Sequence, residues 1–172
     1  MTLSSLFFRL GLGFQNYQPS KSLFETFGKG AEVKEFKYQG YMIQYCDVEV
    51  GTGQGEPESD MGVDVTTIAR GVENERTYDS KKNYTFPVNF EFDDATLKAG
   101  RGLDLALTGY TDDQGTVLLP PMQPGGKRIL VAPPQVAHKG KGIGCLFGRD
   151  DKCLVPPTSA VEVYVELLGI AY

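Results

Sequence analysis

The sequence predicts an α+β domain: a curved antiparallel β-sheet with one short helix packed across it. Three observations lead there. Apolar and polar residues alternate with period two in several short runs, which puts one side of each strand on a core. Only the stretch around residues 97–108 carries apolar residues at helical spacing. And 21 Gly and 10 Pro in 172 residues supply the turns that many short strands need and a helical bundle does not.

The elements follow in chain order. Residues 1–24 contain Arg9 and Lys21 and no acidic residue before Glu25. That composition reads as a targeting segment or arm. Residues 1–40 are therefore expected to form an N-terminal arm, lying on a partner or covering the domain's own apolar surface, ahead of a domain at 41–172. Cys46, Val48 and Val50 alternate with Asp47 and Glu49 as a half-buried strand, and Gly51, Gly53 and Gly55 break it. Val63, Val65, Thr67 and Ala69 mark a second strand. Residues 84–92 mark a third, with Val88, Phe90 and Phe92 on one side. Pro87 lacks an N–H, which makes that strand an edge or a bulge.

The helix rests on Leu103 and Leu107, four apart, with Ala99 and Ala106 alongside. Gly100 and Gly102 weaken helix formation, so it is expected to begin after them. Gly109 suits its C-terminal cap. Residues 110–126 read as a long Gly/Pro-rich connection facing a partner. A short strand at 128–132 stops at Pro133 and Pro134. In the run 160–168, Val161, Val163, Val165 and Leu167 share one face, and Glu162, Tyr164 and Glu166 share a more exposed one.

Composition excludes several functions. Seventeen basic against 22 acidic residues give a formal charge of −5, the wrong sign for general nucleic-acid binding. No apolar run approaches the ~18 residues of a transmembrane helix. One His and three Cys cannot build a multi-histidine or four-thiolate metal site, and no cofactor is implied. Asp112-Asp113, Asp150-Asp151 and Lys81-Lys82 read as solvated turns, and residues 140–144 as a flexible flap tip.

Three segments carry a family resemblance. They are Gly126 to His138 (GKRILVAPPQVAH), Cys153 to Leu168 (CLVPPTSAVEVYVELL) and Thr77-Tyr78-Asp79-Ser80. Gly51-Thr52-Gly53 and Arg101-Gly102-Leu103 add to them. Over roughly residues 41–172 the chain resembles FKBP-type peptidyl-prolyl isomerases. Rotation about an X-Pro bond needs no nucleophile, acid or metal, because the barrier is amide resonance. A dry, apolar, shape-matched pocket favours the twisted amide, and a few hydrogen bonds hold its carbonyl.

The resemblance implies a pocket with aromatic walls, a Trp floor and one Asp. It assigns Tyr78 and Asp79 to the aromatic-Asp pair and His138 to a Tyr that donates a hydrogen bond. Its other lining positions fall at Ile68, Val88, Ala99, Gly100, Leu103, Val163, Leu154 and Val155. Most of the aromatic positions are aliphatic here, and the chain has no Trp. Each lost ring removes contact area worth about 1 kcal/mol or more. A one- or two-residue slip would instead bring Phe86 or Phe90 into the wall. Weak or absent isomerase activity is expected, and with it a binding or structural role. The alternative is a working isomerase or folding helper.

Gly144-Cys145 and Cys153-Leu154-Val155-Pro156-Pro157 resemble the Gly-Cys…Cys-Leu-Ile-Pro-Pro arrangement of plastid thylakoid-lumen members. That likeness implies a Cys145–Cys153 disulfide and a chloroplast thylakoid lumen location, with a protein partner in a photosynthetic (photosystem) assembly reached through residues 1–40 and 110–126. The alternatives are two free thiols and a secretory or cytoplasmic setting. Cys46 is left as a buried strand residue.

Overall fold

The computed structural model describes residues 21–88, 100–149 and 151–171. Among them, the elements in chain order are α1 (Leu23–Phe27), β1 (Lys34–Tyr38), β2 (Tyr41–Glu49), β3 (Gly62–Gly71) and β4 (Arg76–Pro87). Then come α2 (Gly100–Thr108), β5 (Tyr110–Thr111), β6 (Val117–Leu119), β7 (Lys127–Ala132), α3 (Pro134–Ala137) and β8 (Val161–Ala171). Six strands form one antiparallel sheet in the order β1-β2-β7-β8-β3-β4, and β5 pairs with β6 apart from it.

The period-two pattern sets the front face. Val161, Val163, Val165 and Leu167 of the central strand β8 are all buried there with Val63, Val65 and Ala69 of β3. α2 lies across them through Leu103, Ala106 and Leu107. It begins at Gly100, earlier than its glycines suggest. Packing outweighs the propensity cost of about 1 kcal/mol per glycine: a Cβ on Gly102 would sit 3.6 Å from both Ala132 and Val163. Gly109 ends the helix at φ +73°, where a side chain would collide with the Leu119 carbonyl.

The back face departs from expectation. Glu162 and Tyr164 are not exposed but buried, at 5% and 6% exposure. The cover is α1, which comes from the expected arm. Leu23 joins Cys46, Ile129 and Tyr164 in a second cluster, flanked by Phe24, Phe27, Val48 and Ile68. The Phe27 ring stacks on Tyr164 at 4.4 Å. Ser22 caps α1 by accepting from the Phe24 N–H at 3.3 Å, and its own hydroxyl donates to Glu162 Oε1 at 2.9 Å. The Leu23 N–H and Arg70 Nη1 both donate to Glu162 Oε2, at 3.0 and 3.4 Å. Residues 34–38 extend the sheet as β1. The described part of the 1–40 arm thus packs on the domain, and residues 1–20 lie outside the described residues.

Other local expectations shift. Val50 falls past the end of β2 and is exposed. β4 is an edge strand, as Pro87 implied, but it starts at Arg76 and takes in Lys81 and Lys82, which are strand residues rather than a turn. Phe86 and Val88 are both buried, and Phe90 and Phe92 fall outside the described residues. Residues 110–126 are not a plain connection. β5 and β6 make a small hairpin whose turn is held by Asp112 Oδ1, which accepts from the Gln114 and Thr116 N–H groups at 3.0 and 2.8 Å. Arg128 ties this region down, donating from Nη1 to the Ala106 and Pro120 carbonyls at 2.7 and 2.8 Å and from Nε to Asp47 at 2.7 Å.

Candidate functional site

The site is built on the front face of the sheet, where α2 crosses β7 and β8. β4 brings Tyr78 and Asp79. The pairing runs Ala69↔Asp79 and then Arg70↔Thr77, so Tyr78 is the extra residue of a bulge. A bulge re-aims neighbouring side chains, and Tyr78 packs on the front core. Its hydroxyl is buried with no hydrogen-bond partner. Burial, with the Asp79 charge added, pushes this phenol far above the usual tyrosine range. Nearby Tyr84 shares a 2.8 Å hydrogen bond with Thr67, and burial raises its pKa too.

His138 follows α3. The Gly142 N–H donates to Nδ1 at 3.0 Å, so the ring proton sits on Nε2, which donates to the Ser159 carbonyl at 2.9 Å. Both nitrogens are taken within the chain. Where the expectation was a hydrogen bond from His138 to a ligand, the ring here ties the start of the flap to the segment before β8.

Ile68 falls on the opposite face of the sheet. It stands in register with Tyr164 and packs in the back cluster, so it lines no pocket on the front face. Thr67 and Ala69 hold the front positions of β3, as strand periodicity requires. Leu103 is 1% exposed, and Val88, Val155 and Val163 are 0% exposed, so these side chains are core. Leu154 is half-buried, and its carbonyl accepts from Asn74 Nδ2 at 2.7 Å. Gly100 is the first residue of α2, and Ala99 lies outside the described residues.

The segment from His138 to Val155 is a flap closed by two links. Ile143 and Val155 exchange backbone hydrogen bonds, and Cys145 and Cys153 are joined by a disulfide. Cys46 is free and buried. A separate concavity of about 490 Å³ opens between β1, α2 and the hairpin, lined by Tyr38, Asp104, Leu105, Thr108, Tyr110 and Asp113. None of the expected pocket residues lines it. Among the described residues, no three His, Cys, Asp or Glu side chains converge as a metal site needs. No described helix is long and apolar enough to cross a membrane.

Sequence reasoning missed the Arg70–Glu162 pair and the anchoring role of Arg128. An acidic residue on a central, otherwise apolar strand was the available signal for the first.

No model of a known protein family matches the chain. A curated relative, the chloroplastic peptidyl-prolyl cis-trans isomerase FKBP13 of Arabidopsis thaliana, is 33% identical over 141 residues, covering 80% of this chain and 60% of the relative. The crystal structure of AtFKBP13 superposes with a TM-score of 0.57 at 29% identity, over 75% of this chain and 93% of that one. The chain has the FKBP-type fold and is homologous to this isomerase. A second Arabidopsis relative, the chloroplastic photosynthetic NDH subunit of lumenal location 4, is 30% identical over 82% of this chain and 59% of its own length. The chain thus spans about three fifths of each curated relative. A peptidyl-prolyl isomerase from Pseudomonas syringae shares the fold at 22% identity and a TM-score of 0.53, over 86% of this chain and 90% of that one. Both curated relatives are chloroplast proteins, and one is named for a lumenal location. The family likeness read from Tyr78-Asp79, the 126–138 strand and the Pro-Pro turn thus stands on sequence and on fold.

Proposed function

We propose that this FKBP-type domain serves as a docking subunit of a protein complex in the chloroplast thylakoid lumen, with its isomerase pocket lost. The observation that carries this reading is the burial of Leu103, Val88, Val155 and Val163, at 1% exposure or less. Those positions would line a cleft in a working isomerase. Here they are aliphatic side chains packed into the core, which leaves little ring surface to favour a twisted prolyl amide. The internal commitment of both His138 nitrogens removes a second contact. The relative named as a photosynthetic NDH subunit supports a lumenal complex as the setting. The surfaces offered to a partner are the segment ahead of residue 21 and the hairpin within 110–126. Deleting residues 1–20 should release the protein from a large lumenal complex while its melting curve stays unchanged. Retention of the truncated chain would contradict the role given to that segment.

A second reading has an observation of its own. Tyr78 and Asp79 are kept at the β4 bulge, and the relative named as an isomerase supports residual catalysis. It requires acceleration of an X-Pro peptide that disappears in Asp79→Ala.

A further inference from the structure

The described residues between Cys145 and Cys153 form a tied-down projection. The disulfide closes its base. The Leu146 N–H donates to the Lys152 carbonyl at 2.9 Å, and the Arg149 N–H donates back to the Leu146 carbonyl at 3.0 Å. The Arg149 guanidinium grips Asp151 with two hydrogen bonds of 3.0 and 2.9 Å.

At the tip, Leu146 is 58% exposed and Phe147 is 95% exposed. Phe147 also has φ +53°, a left-handed conformation that an aromatic residue enters only at a cost. Internal packing does not offset that cost, because the ring touches almost nothing. An exposed large ring on a strained, tied-down backbone gains nothing for the free domain. It has the form of a preorganised anchor, for which the ordering entropy of binding is already spent.

We propose that Leu146 and Phe147 are a docking anchor that enters an apolar pocket on a protein partner. This inference rests on the docking-subunit reading and adds a further docking surface to the two named there. Lys141 and Lys152 are exposed beside the disulfide, so the pocket's rim carries carboxylates. The tip itself is a poor bilayer anchor. Arg149 within the loop is paired with Asp151, and the chain as a whole is at −5, so an anionic bilayer would repel the domain around the tip.

The test uses Phe147→Asn in the full chain. Asn tolerates positive φ, so the variant removes the ring and keeps the loop; an unchanged melting curve verifies this. The readouts are co-migration with a large complex in detergent-solubilised thylakoids and crosslinking from a photoreactive phenylalanine at position 147, with exposed Met42 as the control position. Co-migration is expected to fall about 30-fold or more, the loss typical of a binding hot spot, and crosslinking from 147 to join one subunit that 42 does not reach. Full co-migration of Phe147→Asn overturns the anchor and leaves the docking reading intact. Failure of the wild-type chain to co-migrate overturns the docking reading itself. Ring-dependent binding to protein-free phosphatidylglycerol vesicles overturns the protein pocket.

Discussion

The Ser22 hydroxyl donates to Glu162 Oε1 at 2.9 Å, joining residues 140 apart in sequence. Glu162 sits near the start of the central strand β8, on the back face, and its other oxygen holds the Leu23 N–H and Arg70. An unpaired carboxylate there would be costly. The first described residues of the chain are therefore part of what makes a buried acid tolerable, and the acid in turn fixes where α1 lies.

Ser22→Ala removes the α1 cap and one partner of Glu162. The expected loss is about 1–2 kcal/mol in denaturant unfolding. Cys46 is the free thiol in the cluster beneath α1, so its labelling rate reports local opening. Ser22→Ala should speed labelling more than its effect on global stability explains; an unchanged rate would show that α1 does not depend on this latch.

Arg128 is 2% exposed and holds two backbone carbonyls and Asp47. Arg128→Met keeps the apolar stem and strands those acceptors. We expect a loss of about 3–5 kcal/mol, read as a shift of the urea midpoint. A loss under about 1 kcal/mol would mean that water replaces the guanidinium.

Tyr78 gives a pH dependence. Its folded pKa is raised above the unfolded tyrosine value near 10. The unfolded chain therefore releases this proton first, and the folded state is penalised for keeping it. The stability contribution is complete below pH 10 and is lost as pH climbs past it, at up to about 1.4 kcal/mol per pH unit. Urea unfolding at pH 9, 10 and 11 should show the decline, and Tyr78→Phe should reduce its slope. The same variant deletes an unmatched buried hydroxyl, so it should stabilise the domain by about 1 kcal/mol at pH 7. Equal slopes in both proteins would contradict the burial assigned to this phenol.

Reduction of the Cys145–Cys153 disulfide opens a short loop. Chain-entropy arguments put its contribution at about 2–3 kcal/mol. A melting curve with and without reductant should show that difference in wild type and none in Cys145→Ser/Cys153→Ser.

Much of the front face was legible. Val161, Val163, Val165 and Leu167 announce their face by spacing alone, and Gly109 announces the end of α2. The back face was not, because Glu162 and Tyr164 look solvent-facing until α1 arrives from the far end of the chain. Ile68 shows a different limit. A position carried over from a family by residue count fails when the count is off by one, since that turns a strand residue to the opposite face. The Tyr78 bulge in the partner strand breaks the regular register that such a count assumes. The two hydrogen bonds of His138 come from loops whose geometry no local pattern fixes.

The most direct measurement of the central claim is the rate of cis-to-trans isomerisation of an X-Pro peptide with micromolar full-length protein, beside Asp79→Ala. The proposed loss of the pocket predicts the uncatalysed rate in both. A clear acceleration by the wild type that Asp79→Ala abolishes would contradict it and restore the domain to catalysis.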